Sequence, residues 1–196
     1  NNGETYEEKN FVLTANIDLN GLPWTPIANS FSDALFGGTD YRIFAGNFDG
    51  KGYTISNVSI GSETTPFESD VFGLFGTTGG KISNLNLDTV SIHGVAKITS
   101  GYVIGPAGGL VGYSAGSIEN CHVTGLTMDM NAQDGGIAGA YWIGGLVGAL
   151  DGAQLINECS VSGSITENTG KGSIGGLIGE LGKAAKITYS RSDVTV

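Results

Sequence analysis

Side chains that could carry chemistry are few and scattered. Thiols, imidazoles and guanidiniums are limited to Cys121 and Cys159, His93 and His122, and Arg42 and Arg191. Neither histidine stands in a His-Glu-x-x-His pair, because the sequence reads His93-Gly94-Val95 and His122-Val123-Thr124, so zinc-peptidase chemistry is not expected. No Gly-x-Ser-x-Gly elbow or phosphate-cradling glycine loop is present. A polysaccharide lyase would need clustered carboxylates for calcium and an Arg or Lys base on one face. The two arginines lie near opposite ends of the chain, and Asp18 and Asp49 sit in its first quarter. Asp129, Asp134 and Asp151 are candidates for a weak calcium site, but Asp134-Gly135 and Asp151-Gly152 are also turn dipeptides, as is Asp49-Gly50. The expectation is a non-catalytic protein without a cofactor.

The elements that must position these residues are read from an internal repeat. Gly73-Leu74-Phe75-Gly76 returns as Gly109-Leu110-Val111-Gly112, Gly145-Leu146-Val147-Gly148 and Gly176-Leu177-Ile178-Gly179, at spacings of 36, 36 and 31 residues. Each copy is followed by a second element: Ile82-Ser83-Asn84-Leu85, Ile118-Glu119-Asn120-Cys121, Ile156-Asn157-Glu158-Cys159 and Ile187-Thr188-Tyr189-Ser190. Two linked elements keeping step over four copies signal a repeat architecture. No window sustains a helical period, whereas short Ile/Val/Leu runs broken by Gly, Asn and Ser read as strands. One repeat cannot bury its own apolar face, so its neighbours must stack on it with like residues in register. That describes a parallel β-helix, a solenoid of about five to six coils.

In this arrangement Leu74, Leu110, Leu146 and Leu177 form one inward ladder. Strand alternation then turns Phe75, Val111, Val147 and Ile178 outward. Cys121 and Cys159 share a ladder with Leu85. In-register strands hold equivalent side chains about 4.8 Å apart, too far for disulfide Cβ geometry, so buried free thiols are expected. The 34 glycines among 196 residues, more than twice the usual ~7%, serve the coil corners, where a Cβ would crowd the next coil. Ile55-Ser56-Asn57-Val58 matches the second element, so the helix is expected to begin near Phe11 with irregular coils and a capping loop around Ser30–Tyr41. The division expected is one β-helix domain over 1–196, with 1–54 as cap and irregular first coils and 55–196 as repeats.

Extra residues near 93–107, 128–142 and 166–174 recur between the second element of one copy and the next tetrapeptide. They are expected as loops on one side of the solenoid, the usual place for a binding surface. They bring Tyr102, Tyr141 and Trp142, aromatic groups suited to stacking on a sugar or anchoring a protein. The same rings could instead cover the core. A net charge of −10 with no basic cluster excludes nucleic acid and anionic membrane surfaces as partners. The longest uncharged stretch, between Lys97 and Glu119, is broken by six glycines and Pro106 and is not the run of ~20 predominantly apolar residues that a spanning helix needs. The last strand, ending at Val196, shows no cap, which predicts either further chain or cover by another chain.

The paired elements, Gly-Leu-Phe/Val/Ile-Gly followed by Ile-x-Asn-Cys, resemble the GLUG repeat of bacterial surface and secreted proteins, particularly of Bacteroidales, also found beside some immunoglobulin A peptidases. The segment Ile17-Asp18-Leu19, Trp24-x-Pro26-Ile27 and Phe44 to Ile55 resembles the usual lead-in of those proteins. The resemblance spans roughly Phe11 to Arg191 and departs at Leu85 and Ser190, where the repeat usually carries Cys. It implies a right-handed, all-β parallel β-helix, export to the cell surface or medium, and an adhesin-like role. Its expected partners are host or microbial glycans or surface proteins. It supplies no catalytic residues. A polysaccharide-active enzyme and a purely structural stalk are the alternatives.

Overall fold

The computed structural model describes residues 4–31 and 43–196 of the chain. The expected capping loop at Ser30–Tyr41 falls almost wholly outside them, as does Arg42. Among the described residues every regular element is a β-strand, arranged in four sheets. All strand pairs are parallel except one hairpin, Asn86–Thr99 with Tyr102–Ile104. One turn of the solenoid runs Val111–Ser114, Ile118–Glu119, His122–Ala132 and Trp142–Gly144 before Val147–Leu150 restarts the cycle. Each strand pairs with its equivalent one turn away. Val111 stands between Phe75 and Val147, Ile118 between Ile82 and Ile156, and His122 between Asn86 and Ser160. The sheet of tetrapeptide strands has four members, so the solenoid completes about four turns. The sheet of Ile ladders has six, because Asn10–Val12 and Asn47–Asp49 extend it at the N-terminal end. The expected five to six coils hold on that side only.

The core is the interior of the coil. Leu74, Leu110 and Leu146, Ile82, Ile118 and Ile156, and Leu85, Cys121 and Cys159 are all at most 1% exposed. Each such Leu or Ile contributes roughly 1.5–3 kcal/mol by leaving water. In the last turn Ile187 is 43% exposed, so its ladder position contributes least. Phe75, Val111 and Val147 do not point outward as strand alternation predicts. They are at most 1% exposed and belong to the same core as their Leu neighbours. The reason is local: Leu74, Leu110 and Leu146 lie in the bend before each strand, where alternation does not apply, so both residues face inward. The residue that faces outward is the fourth, glycine, and a second layer of chain lies on it. Val71, Phe72, Pro106 and Ala107 pack there against Gly112 and Gly148.

Corner geometry explains the second repeat element. Asn84, Asn120, Glu158 and Tyr189 all adopt left-handed backbone, with φ between 49° and 54°, a conformation that Asn tolerates best among residues with a Cβ. A second left-handed corner lies inside the long sheet at Asn57, Thr89 and Gly125. Ile55 pairs with Leu87, and Phe48 is the residue in register with Ile82. The match of Ile55-Ser56-Asn57-Val58 to the second element is therefore a shift of register: this segment serves the other corner. The residues expected as a loop from 93 to 107 also differ. Asn86–Thr99 continues the long sheet with alternating burial and returns through Tyr102–Ile104.

Asp18 and Asp49 have equivalent structural roles. Asp18 Oδ1 accepts from Asn57 Nδ2 at 2.8 Å and from its own loop at Asn20 N at 2.7 Å. Asp49 Oδ1 accepts from Asn84 Nδ2 at 3.0 Å and from Lys51 N at 2.9 Å. Each carboxylate ties an early coil to the left-handed asparagine of the next. These bonds favour the ionised form, Asn57 acting most strongly on Asp18 and Asn84 on Asp49, where Lys51 adds to the effect and brings the carboxyl to about 2. Because the folded value lies below the unfolded one, the contribution is complete above pH 4 and is lost as pH falls through about 2. Urea midpoints taken between pH 5 and pH 2 are expected to fall across that window. In Asp18→Asn/Asp49→Asn the fall should be shallower, and an unchanged slope would remove these two carboxylates from the acid response.

Candidate functional site

The three aromatic residues singled out in the sequence occupy different environments. Tyr141 is 1% exposed, and its hydroxyl donates to Asn131 O at 3.1 Å. Burial, with the negative charges of Glu167 and Asp129 beside it, pushes the phenol well above its ordinary range. Trp142 is half-buried, its ring 6.3 Å from Phe31 in an edge-on contact, and Phe31 in turn lies 4.6 Å from Tyr113. With Val71, Ile104 and Ala140 these rings form a small outer core over the tetrapeptide sheet. Tyr102 alone of the three is open to solvent, 43% exposed, in register with Ile137, which is 60% exposed.

A groove that the sequence does not announce lies between the first coil and the next. Trp24 is fixed in it by two hydrogen bonds, its backbone N–H to Ser59 O at 2.7 Å and its indole Nε1 to Leu74 O at 3.1 Å. Ser62 and Thr65 close a tight turn through reciprocal backbone bonds of 3.0 and 3.2 Å, and Pro66 and Phe67 directly after it also line the groove. Gly61, at φ 69°, is needed at the floor, because a Cβ there would run into the backbone of His93 and Phe67. The groove has a volume of about 520 Å³. Through Ser59, Gly61 and Ser62 it adjoins a second hollow of about 380 Å³ that reaches Ser91 and His93. The signal for this site, Pro23-Trp24 and Pro66-Phe67, is present in the sequence. The pairing of Pro23 with Ser59 that brings the two together lies in the irregular first coil, where no repeat fixes the register.

The remaining reactive groups serve the solenoid. Cys121 and Cys159 are free and buried, in equivalent positions of adjacent turns. Each thiol donates to a carbonyl of its own corner, Glu119 O at 3.3 Å and Asn157 O at 3.2 Å. Burial pushes the Cys121 thiol up, which keeps it protonated and unreactive. His122 joins a ladder of polar corner groups, with Nδ1 2.9 Å from Ser160 Oγ and Nε2 3.2 Å from Asn120 Oδ1. This ladder lines an open trough of about 570 Å³ with Glu158 and Arg191. His93 Nδ1 lies 3.9 Å from Asp129 Oδ2 and has no hydrogen-bond partner among the described residues. Asp134 and Asp151 begin turns whose glycines, Gly135 and Gly152, take φ 89° and 62°. Among the described residues no three His, Cys, Asp or Glu side chains converge on a point that would hold a metal.

Comparison with known proteins places the repeat. The family model of the GLUG motif matches residues 107–127, the stretch that runs from the strand Ala107–Gly108 through the tetrapeptide and both left-handed corners. Halomucin of Haloquadratum walsbyi is 35% identical over 146 residues, covering 74% of this chain and 1% of halomucin. The immunoglobulin A1 protease of Streptococcus pneumoniae is 29% identical over 190 residues, covering 95% of this chain and 8% of the protease. That of Streptococcus sanguinis is 30% identical over 191 residues, with the same coverage. The chain thus spans between 1% and 8% of the length of these relatives. A solved structure from Bacteroides ovatus, named provisionally as an immunoglobulin A1 protease, aligns with a TM-score of 0.49 at 20% identity, covering 96% of this chain and 61% of that one. The chain thus carries a GLUG motif at residues 107–127, set in a β-solenoid whose Gly-Leu-x-Gly tetrapeptides stack in register from turn to turn.

Proposed function

We propose that this chain is a non-catalytic binding module carried within a longer surface or secreted protein. The observation that supports this reading best is its recurrence. Nearly the whole chain aligns inside immunoglobulin A1 proteases and most of it inside halomucin, in each case as a small fraction of a much longer protein. A unit shared by proteins with such different names is separable from the activity that either name describes. Function of this kind lives in sites grafted on a scaffold rather than in the scaffold itself. The partner is a glycan or a surface protein, of host or microbial origin. Tyr102 with its exposed neighbour Ile137 and the rim of Trp142 offer one surface for it, and the Trp24 groove offers another. The test is to incubate the isolated chain with immunoglobulin A1 and with a panel of polysaccharides, following both retention and fragment release. Retention without any shortened chain is the expected result. Release of peptide or sugar fragments would show an enzyme.

A further inference from the structure

We infer that the groove between Trp24 and Phe67 binds an uncharged pyranose of an oligosaccharide; this rests on the binding-module reading above. Three properties of the groove point to that chemistry. First, its lining includes four ring side chains with apolar faces, Pro23, Trp24, Pro66 and Phe67. Such faces receive the C–H face of a sugar ring, which is apolar although its rim is polar. Second, the polar groups are neutral hydroxyls. Thr25 and Thr65 are exposed, and their hydroxyls make no hydrogen bond among the described residues, which leaves them free for a ligand. Third, no ionisable side chain lines the groove. A sialic or uronic acid would leave its carboxylate there without the Arg or Lys that recognition of an anion calls for.

An extended peptide fits the same groove less well. Peptide capture by strand addition needs unpaired main-chain groups on the host. Here Trp24 N, Ser59 O, and the N–H and C=O groups of Ser62 and Thr65 are already bonded to one another. The volume of about 520 Å³ lies within the ~300–1,000 Å³ of small-molecule sites. The adjoining hollow at Ser91 and His93 supplies room for a second ring. The two hydrogen bonds that fix Trp24 mean that its ring need not be ordered on binding, which saves affinity.

The experiment is a printed array of neutral oligosaccharides terminating in glucose, galactose, mannose or N-acetylglucosamine, with sialylated and uronate-bearing glycans beside them. It is followed by calorimetry on the neutral glycan retained best. Capture of neutral glycans is expected. Thr65→Val, which removes an exposed hydroxyl that supports nothing in the fold, should weaken capture about tenfold. Trp24→Phe should weaken it further, and Lys183→Ala, remote from the groove in exposed turn residues, should leave it unchanged. Melting temperatures of all variants separate loss of binding from loss of fold. The inference is overturned if no neutral glycan is retained, if only acidic glycans are, or if folded Thr65→Val and Trp24→Phe bind as the parent does. Binding that survives in those variants but disappears in Tyr102→Ala would sink the groove and leave the module reading standing. Shortening of the retained glycan, read by mass spectrometry, would keep the groove and sink the non-catalytic reading.

Discussion

Replacing Gly148 by alanine is expected to destabilise the solenoid by about 3 kcal/mol or more, at or beyond the upper end for overpacked sites. Gly148 is the fourth residue of its tetrapeptide and lies in the strand Val147–Leu150. A Cβ placed there would stand 2.5 Å from Ala107 N, 2.5 Å from Gly112 O and 2.9 Å from Ala107 O. All three are backbone atoms, so no rotamer change relieves the contact. The backbone of Gly148 is not left-handed, which makes close approach the whole of the effect. Gly112 and Gly179 stand in the same place one turn either way, facing Phe72 O and Pro106 O, and Ile143 N, respectively. The tetrapeptide is therefore the footprint of one chain layer lying directly on another. Gly152→Ala supplies the comparison, because Gly152 has φ 62° and a Cβ on it would meet nothing within 4 Å. It should cost only the backbone strain of about 1–2 kcal/mol. Urea unfolding of the two variants decides the matter: equal losses, or a larger one at Gly152, would remove layer packing as the reason for the fourth glycine.

The register of the later turns was legible because stacking forces like residues to recur. Ile118 sits on Ile82 and under Ile156, and Val111 on Phe75 and under Val147, at the spacing the repeats predict. The fate of the two thiols followed from the same ladder, since Leu85 occupies the third position in it. What periodicity could not show was the second layer. Tetrapeptide glycines look alike whether they turn a corner or admit a neighbouring chain, and only the layered geometry of Gly112 and Gly148 separates the two. The early register misled for a related reason. The solenoid has two left-handed corners per turn, and Ile55-Ser56-Asn57 at one imitates Ile82-Ser83-Asn84 at the other. The Trp24 groove stayed hidden because its walls come from segments without repeat partners, joined by a single bridge between Pro23 and Ser59.

Tyr141→Ala is expected to cost about 3–5 kcal/mol of stability, as loss of a fully buried aromatic ring does. That is a large share of the roughly 5–15 kcal/mol that holds a folded domain together. The ring is 1% exposed and belongs to the principal core, and its hydroxyl satisfies the carbonyl of Asn131. Alanine would leave a cavity and remove the hydroxyl's bond to Asn131 O. Tyr141→Phe, which keeps the ring and removes only the hydroxyl, should cost far less, about 1 kcal/mol for one hydrogen bond. Tyr102→Ala should be nearly neutral, because that side chain is 43% exposed and exposed substitutions usually stay within about 0.5 kcal/mol. The ordering Tyr141→Ala, then Tyr141→Phe, then Tyr102→Ala is what thermal and urea unfolding should return. It also determines how binding data on these residues are read. Lost binding in Tyr141→Ala would report lost fold, whereas lost binding in a Tyr102→Ala protein that melts like the parent would report a contact with ligand. A Tyr141→Ala variant as stable as the parent would place the ring outside the core and return it to the candidate binding surface.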